Sequence, residues 1–261
     1  MTEFGPADAR RWIAIPGPDD DKYSRGVVGF ATGSARYPGA AVLGVDAALH
    51  TGVGMVRYLG PGRPTRLVLQ RRPEAVTVEG RVQAWVLGSG QDAENRDDEL
   101  LGRALAQDVP LVIDSGALDR VRDAAGPAIL TPHAGELARL LGVERADIAA
   151  DPDAAAERAA RAFGATVLLK GHVSRIASPE GLRHRVTAPT TWLATAGSGD
   201  ALAGILGALV ATHPDGDRAE LAATACVLHG LAGERASGGG PFTVLDLCAQ
   251  LPAVIAALLV E

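Results

Sequence analysis

Ala128-Ile129-Leu130-Thr131-Pro132-His133-Ala134-Gly135-Glu136-Leu137-Ala138-Arg139-Leu140-Leu141 is a short apolar run of strand length that feeds directly into a helical stretch. The apolar positions switch from a continuous run to helical spacing within a few residues. Pro132 fixes the chain's entry to the helix, and Glu136 falls in its first turn, where the helix dipole favours a negative charge. A strand buried on both faces and leading straight into a helix is the unit of a parallel sheet covered on both sides.

The same alternation extends in both directions. Strand-length runs occur at Val27–Ala31, Met55–Leu59, Ala84–Leu87, Leu111–Ile113, Thr166–Leu169 and Val173–Ala177. Helical segments lie between most of them, at Ala40–His50, Asp97–Ala106, Gly135–Leu141 and Ala154–Phe163, with another following at Asp200–Thr212. The expected fold is α/β, a mostly parallel doubly wound sheet with helices on both faces. Thr166–Leu169 and Val173–Ala177 are too close for a crossover helix, so an antiparallel edge hairpin is expected there. No linker interrupts the pattern, and residues 1–261 read as one domain in which 1–21 are irregular.

Composition narrows the function. A net charge of −6, with no Lys/Arg block and no interleaved aromatics, argues against nucleic acid as a partner. The apolar run Ala253–Val260 is far too short to span a bilayer, which predicts no membrane contact and a cytoplasmic protein. Only Cys226 and Cys248 are present, and buried free thiols are expected rather than a disulfide or a metal site. Asp19-Asp20-Asp21 reads as a solvated turn. Of 25 basic residues only Lys22 and Lys170 are lysine, so Lys170, at a strand end, is a candidate for a role that a planar guanidinium cannot fill.

In an open α/β sheet ligands sit beyond the carboxyl ends of the strands. Thr32-Gly33-Ser34, Gly88-Ser89-Gly90, Asp114-Ser115-Gly116, Thr131-Pro132-His133 and Lys170-Gly171 all occupy such positions. The strongest signal is Ala194-Thr195-Ala196-Gly197-Ser198-Gly199-Asp200, which opens an apolar helix. Its small residues admit a ligand to the first free N–H groups of the helix, a cradle for phosphate. Asp200, kept ionised by the same dipole, is placed to take a proton from a hydroxyl attacking phosphorus. The plainer reading is that Asp200 only caps the helix. Likewise Glu136 reads first as a cap, and His133 as either structural or functional. His50, His172, His184, His213 and His229 show no metal-ligand spacing, and no HxxxH, CxxC or Walker-type motif occurs.

These motifs together resemble the ribokinase-like superfamily, and within it the ADP-dependent NAD(P)H-hydrate dehydratases. The resemblance runs from about Val27 to Leu231. It rests on Gly39-Ala40-Ala41 through Gly52-Val53-Gly54, Val86 to Gly90, Leu130 to Glu136, Leu169-Lys170-Gly171, Ala194 to Gly204, and Leu228-His229-Gly230. It implies an enzyme that uses ADP to phosphorylate the C6 hydroxyl of (6S)-hydrated NADH or NADPH and then expels phosphate, leaving AMP. By the same resemblance Asp200 is the catalytic base, and Gly197, Ser198 and Gly199 form the anion hole. Ala40 or its neighbour Ala41, with Gly90, His133 and Asp200, would hold the hydrated dinucleotide. Lys170, Gly171, His172, Val173, Ser174 and Gly199 would hold the ADP or AMP, and Mg2+ would offset charge on the diphosphate.

The resemblance further implies a homo-oligomer, a tetramer in many relatives, and a partner epimerase on a separate chain, because this one is too short to include that domain. Two loops depart from the family pattern. Gly88-Ser89-Gly90-Gln91-Asp92 stands where Gly-Pro-Gly-Leu-Gly is usual, and Asp114-Ser115-Gly116 where Asp-Ala-Asp is usual. Ser174 stands where Thr is favoured. Two rival readings are an ATP-dependent small-molecule kinase of the same fold and a nucleotide-binding protein of weakened activity.

Overall fold

In the computed structural model, which describes residues 1–260, nine strands form one sheet. They are β1 (Thr2–Glu3), β2 (Val27–Ala31), β3 (Met55–Tyr58), β4 (Ala84–Leu87), β5 (Leu111–Ile113), β6 (Ala128–Leu130), β7 (Thr166–Leu169), β8 (Val173–Ala177) and β9 (Arg183–Thr187). Ten α-helices accompany them: α1 (Pro6–Ala9), α2 (Gly39–Thr51), α3 (Gly62–Arg71), α4 (Asp98–Leu105), α5 (Ala134–Leu141), α6 (Arg145–Ala150), α7 (Pro152–Phe163), α8 (Ser198–Thr212), α9 (Arg218–Ser237) and α10 (Val244–Val260). Three 3-10 helices, Arg10–Trp12, Ser115–Asp123 and Thr191–Leu193, complete the assignment.

The strand order is β1-β9-β8-β7-β6-β5-β4-β2-β3. All pairings are parallel except β7 with β8 and β8 with β9. The seven strand-length runs of the sequence are all strands of this sheet, fully buried for the most part, with side chains alternating between two cores. Val28, Phe30, Val86 and Ile129 pack toward α2, α8, α9 and α10, and Leu87, Leu111, Ile113 and Leu130 toward α4, α5, α6 and α7. The chain leaves β2 outward to β3 and returns on β2's other side to β4. That reversal opens a crevice at the carboxyl ends of β2 and β4.

Two expectations are corrected. The antiparallel hairpin at Lys170-Gly171-His172 is present, but β9 and then β1 pair beyond it, so it lies inside the sheet rather than at its edge. The N-terminal segment is not irregular throughout. Thr2–Glu3 pairs in parallel with His184–Arg185, and Pro6–Ala9 is helical. Phe4 and Ala9 are buried, and Trp12 Nε1 donates to Glu220 on α9 at 2.7 Å. These few anchors are too sparse to create a periodic pattern. Asp20 and Asp21 do lie in an exposed turn, accepting from Gly17 N, Ser24 Oγ and Tyr23 N.

α8 places the site. Its residues from Ala201 to Ala211 are all buried, which explains the uniformly apolar sequence after Asp200. It packs along α2, so the backbone of Asp200 passes against Gly44, one turn beyond Ala40.

Candidate active site

Asp114, at the end of β5, is buried at 1% exposure, and both its oxygens are occupied. Oδ1 accepts from Thr131 Oγ1 and Lys170 Nζ, each at 2.8 Å. Oδ2 accepts from Ser89 Oγ at 2.8 Å and Ser115 Oγ at 3.2 Å. One carboxylate thus ties together the ends of β4, β5, β6 and β7. Burial pushes this carboxyl up, but the Lys170 ammonium and the hydroxyl donors outweigh it and hold it below the usual carboxylate range. For Lys170, burial works against its charge, while Asp114, and beyond it Glu136 and Asp200, raise it above the ordinary lysine value. Lys170 is therefore a fixed cation, positioned by parallel pairing of its backbone with the His133 strand end, where its N–H donates to Pro132 O at 2.9 Å.

Asp200 behaves differently from expectation. The helix dipole was expected to keep it an ordinary carboxylate, yet burial, reinforced by the charge of Asp114 and opposed by Lys170, pushes it up to about 7. In its immediate backbone, Ser198 N is drawn back to Thr195 O at 3.3 Å, and Ala201 N bonds Gly197 O. The N–H groups of Gly199 and Asp200 find no backbone acceptor among the described residues. The free amides at this helix start are therefore those of Gly199 and Asp200, with Gly197 just before them; the Ser198 amide, expected in the anion hole, is already engaged.

Beside α8 opens a cavity of about 570 Å³, within the size range of small-molecule sites. Lys170, Gly171, His172, Ser174 and Gly199 line it, five of the six residues expected to hold a nucleotide; Val173 does not. Cys226 and His229 line it too, and neither was expected at the nucleotide site from the sequence. The Cys226 thiol is pushed up to about 12 by burial, which leaves it an inert wall.

Ala40 and Gly90 lie outside this cavity and touch each other. A methyl group at position 90 would sit 2.4 Å from the Ala40 Cβ and 2.9 Å from the Tyr37 carbonyl oxygen. Ala41 instead faces Gly33 and is fully buried, so Ala40 is the residue of the pair that faces the Gly90 loop. His133 caps α5, its Nδ1 accepting from Gly135 N at 3.0 Å and Glu136 N at 3.2 Å. Glu136 returns the contact, accepting from His133 N at 2.8 Å, which makes it the cap its position suggested. The His133 ring is exposed beyond the cap and also lines the cavity.

The two departures noted in the loops meet. A side chain at position 116 would put its Cβ 2.3 Å from Gln91 O and 2.8 Å from Asp92 N. Arg96 Nη1 donates to Gly116 O at 2.6 Å and closes this corner.

The fold and the strand-end site define a ribokinase-like α/β protein. A ribokinase-like superfamily protein from Enterococcus faecalis superposes with a TM-score of 0.87 at 24% identity, covering 99% of this chain and 96% of that one. The ADP/ATP-dependent NAD(P)H-hydrate dehydratase of Bacillus subtilis, co-crystallised with ATP and Mg2+, gives 0.88 at 24% identity over 99% of both chains. The family model for NAD(P)H-hydrate dehydratase matches residues 28–240, and the chain belongs to that family. An ADP-dependent (S)-NAD(P)H-hydrate dehydratase from Xanthomonas campestris is 33% identical over 95% of this chain and 94% of its own length. A bifunctional NAD(P)H-hydrate repair enzyme from Mycobacterium tuberculosis is 45% identical over 81% of this chain and 46% of its own length. The chain thus spans about half the length of the bifunctional relatives it matches.

Proposed function

We propose that this protein dehydrates (6S)-hydrated NADH or NADPH at the expense of ADP, restoring the reduced dinucleotide and releasing AMP and phosphate. The observation that carries the reading is Asp200. It stands at the free N–H groups of α8, next to Gly199 of the Lys170 cavity, and its backbone passes against Gly44 on α2, one turn beyond Ala40. A base whose pKa is about 7 is matched to proton transfer near neutral pH.

In this reading ADP occupies the cavity of Lys170, Gly171, His172, Ser174 and Gly199, with Val173 behind it. The hydrated nicotinamide enters past Ala40, Gly90 and His133. Asp200 takes the proton of the C6 hydroxyl as its oxygen attacks the β-phosphorus, and AMP leaves. The free amides of Gly197, Gly199 and Asp200 and the Lys170 ammonium stabilise the charge on the transferring phosphoryl group. Phosphate then leaves C6 with the C–O bonding pair, far more readily than hydroxide would, and a proton is lost from C5 as the ring double bond reforms. Among the described residues no cluster of three acidic, histidine or cysteine side chains is placed to cage a metal, and both Asp114 oxygens are already spent. Mg2+ would then be carried by the diphosphate, with Asp200, whose carboxylate accepts no hydrogen bond among the described residues, as the carboxylate left to face it. Bound there, the ion would neutralise phosphate charge.

Residues 1–261 are taken to act as one dehydratase unit, in the cytoplasm, as a homo-oligomer, a tetramer by family resemblance. An epimerase supplies the (6S) form. The buried free thiols of Cys226 and Cys248 fit a reducing compartment, and no helix of the described residues is long and apolar enough to cross a membrane. The relatives named bifunctional are about twice the length that this chain covers, which leaves room in them for such an epimerase.

The test is recovery of reduced-nicotinamide absorbance when protein, magnesium and ADP are added to enzymatically hydrated NADH, with an ATP-only parallel. Recovery with ADP supports the reading. Recovery with ATP alone overturns the donor, and no recovery with either overturns the reaction.

A further inference from the structure

His229 lies on α9, buried at 8% exposure, and its ring borders the nucleotide cavity. Its Nε2 is 3.0 Å from the Ser198 carbonyl oxygen and 3.0 Å from Ser198 Oγ. A carbonyl oxygen can only accept, so the first of these contacts requires a proton on Nε2. Burial pushes the ring's pKa down to about 4, helped by the nearby Lys170 charge and opposed by the Ser198 bond. The ring at neutral pH therefore carries one proton, and the Ser198 carbonyl claims it.

The Ser198 carbonyl and the Gly199 N–H are the two ends of one planar peptide unit and point in opposite directions. Whatever holds the carbonyl from behind aims the amide in front. The amide in question is one of the free N–H groups at the start of α8. The start of α8 already orients this peptide, and His229 adds a second anchor in the helix's first turn, where Gly197 and Gly199 flank Ser198 and neither has a side chain to restrict the backbone.

We propose that His229 is a positioning residue for phosphoryl transfer: its Nε2–H holds the Ser198 carbonyl and thereby presents the Gly199 N–H to the transferring phosphoryl group. This rests on the ADP-dependent reading above. His229 does not touch the reacting atoms; it acts through one peptide plane. Removing a single oxyanion-hole donor lowers kcat by about 100- to 1000-fold in other enzymes, and a misaimed donor costs less than a missing one.

The experiment compares His229→Leu with His229→Gln, whose side-chain amide nitrogen occupies the place of Nε2. His229→Leu is expected to lose about 10- to 100-fold in kcat, with the KM for ADP changed by less than about threefold, and His229→Gln to regain most of that loss. Wild-type kcat in His229→Leu, equal losses in both variants, or a rise in KM alone would each overturn the proposal. Should His229→Leu fail to fold, His229→Asn, whose amide matches Nδ1 instead, provides the same contrast with Gln.

A second readout needs no turnover. Nitrogen-15 spectra of the wild-type ring are expected to show the neutral Nε2–H form, and inorganic phosphate to shift the Gly199 amide resonance in wild type but not in His229→Leu. A ring protonated on Nδ1 would mean that Ser198 Oγ donates to Nε2, and would overturn the proposal. A wild-type protein inactive on hydrated NADH would sink the dehydratase reading, while the ring tautomer and the Gly199 shift would still decide this one.

Discussion

Lys170 Nζ lies 2.8 Å from Asp114 Oδ1, although β7 and β5, which carry them, are separated by β6. The ammonium shares that oxygen with the Thr131 hydroxyl, and the other oxygen is filled by Ser89 and Ser115. A guanidinium gripping the carboxylate with two N–H groups would have to expel a hydroxyl, which gives a physical reason for a lysine at this position in a chain dominated by arginine.

Removing the cation leaves Asp114 charged, buried and uncompensated. Lys170→Met is expected to destabilise the fold by about 3–5 kcal/mol in denaturant titration. Adding Asp114→Asn to it should restore a large part of that loss. Additive losses in the double variant would show that the two side chains are not coupled.

Asp200 links activity and stability to pH with opposite signs. To act as the base in the proposed reaction it must be ionised, so kcat should rise with pH along a limb centred near 7; a limb at the ordinary carboxylate value of 3.8 would contradict the assignment. For stability, a carboxyl whose folded pKa is raised favours the fold fully below its unfolded pKa, and that contribution is lost as pH rises through about 7. Asp200→Asn should therefore be inactive yet more stable than wild type at pH 8, by at most about 4 kcal/mol, with the gain vanishing near pH 4. Thermal unfolding of the two proteins at both pH values is the check.

His133 has a helix cap to serve besides any ligand, and the two roles can be separated. His133→Ala should cost about 1 kcal/mol and raise the KM for the hydrated dinucleotide. His133→Asn keeps a good cap, so it should recover the stability and leave KM high. Recovery of both would confine His133 to capping.

At Gly90 the backbone has φ +66° and the Ala40 Cβ stands where a side chain would go. Gly90→Ala is expected to destabilise the loop by about 1–2 kcal/mol from the left-handed backbone alone. It should also raise the KM for the hydrate about tenfold while sparing that for ADP. Equal effects on both substrates would place the loop elsewhere in the reaction.

The strands were legible because the buried runs such as Leu111–Ile113 and Ala128–Leu130 leave no alternative to a sheet covered on both faces. The Gly199-Asp200 turn was legible because small residues ahead of an apolar helix have few other uses. Strand order was not, and with it the Asp114–Lys170 pair stayed hidden: both residues were expected at the strand ends that face the crevice, but nothing local says that these two side chains touch. His229 looked like background for the same reason: its partner, Ser198, is 31 residues away on another helix. β1 is two residues long, and β9, Arg183-His184-Arg185-Val186-Thr187, is mostly polar, so neither carries a periodic signal. α9 and α10 turn many apolar residues around their circumference, which blurs helical spacing into a continuous run.

Gly116 and the Gln91-Asp92 peptide occupy one volume, so the two loops are mechanically coupled. A side chain introduced at 116 alone would have to displace the backbone of the neighbouring loop, because it would meet backbone atoms rather than a flexible side chain. Loop grafts between this protein and its relatives will succeed only when residues 88–92 and 114–116 travel together.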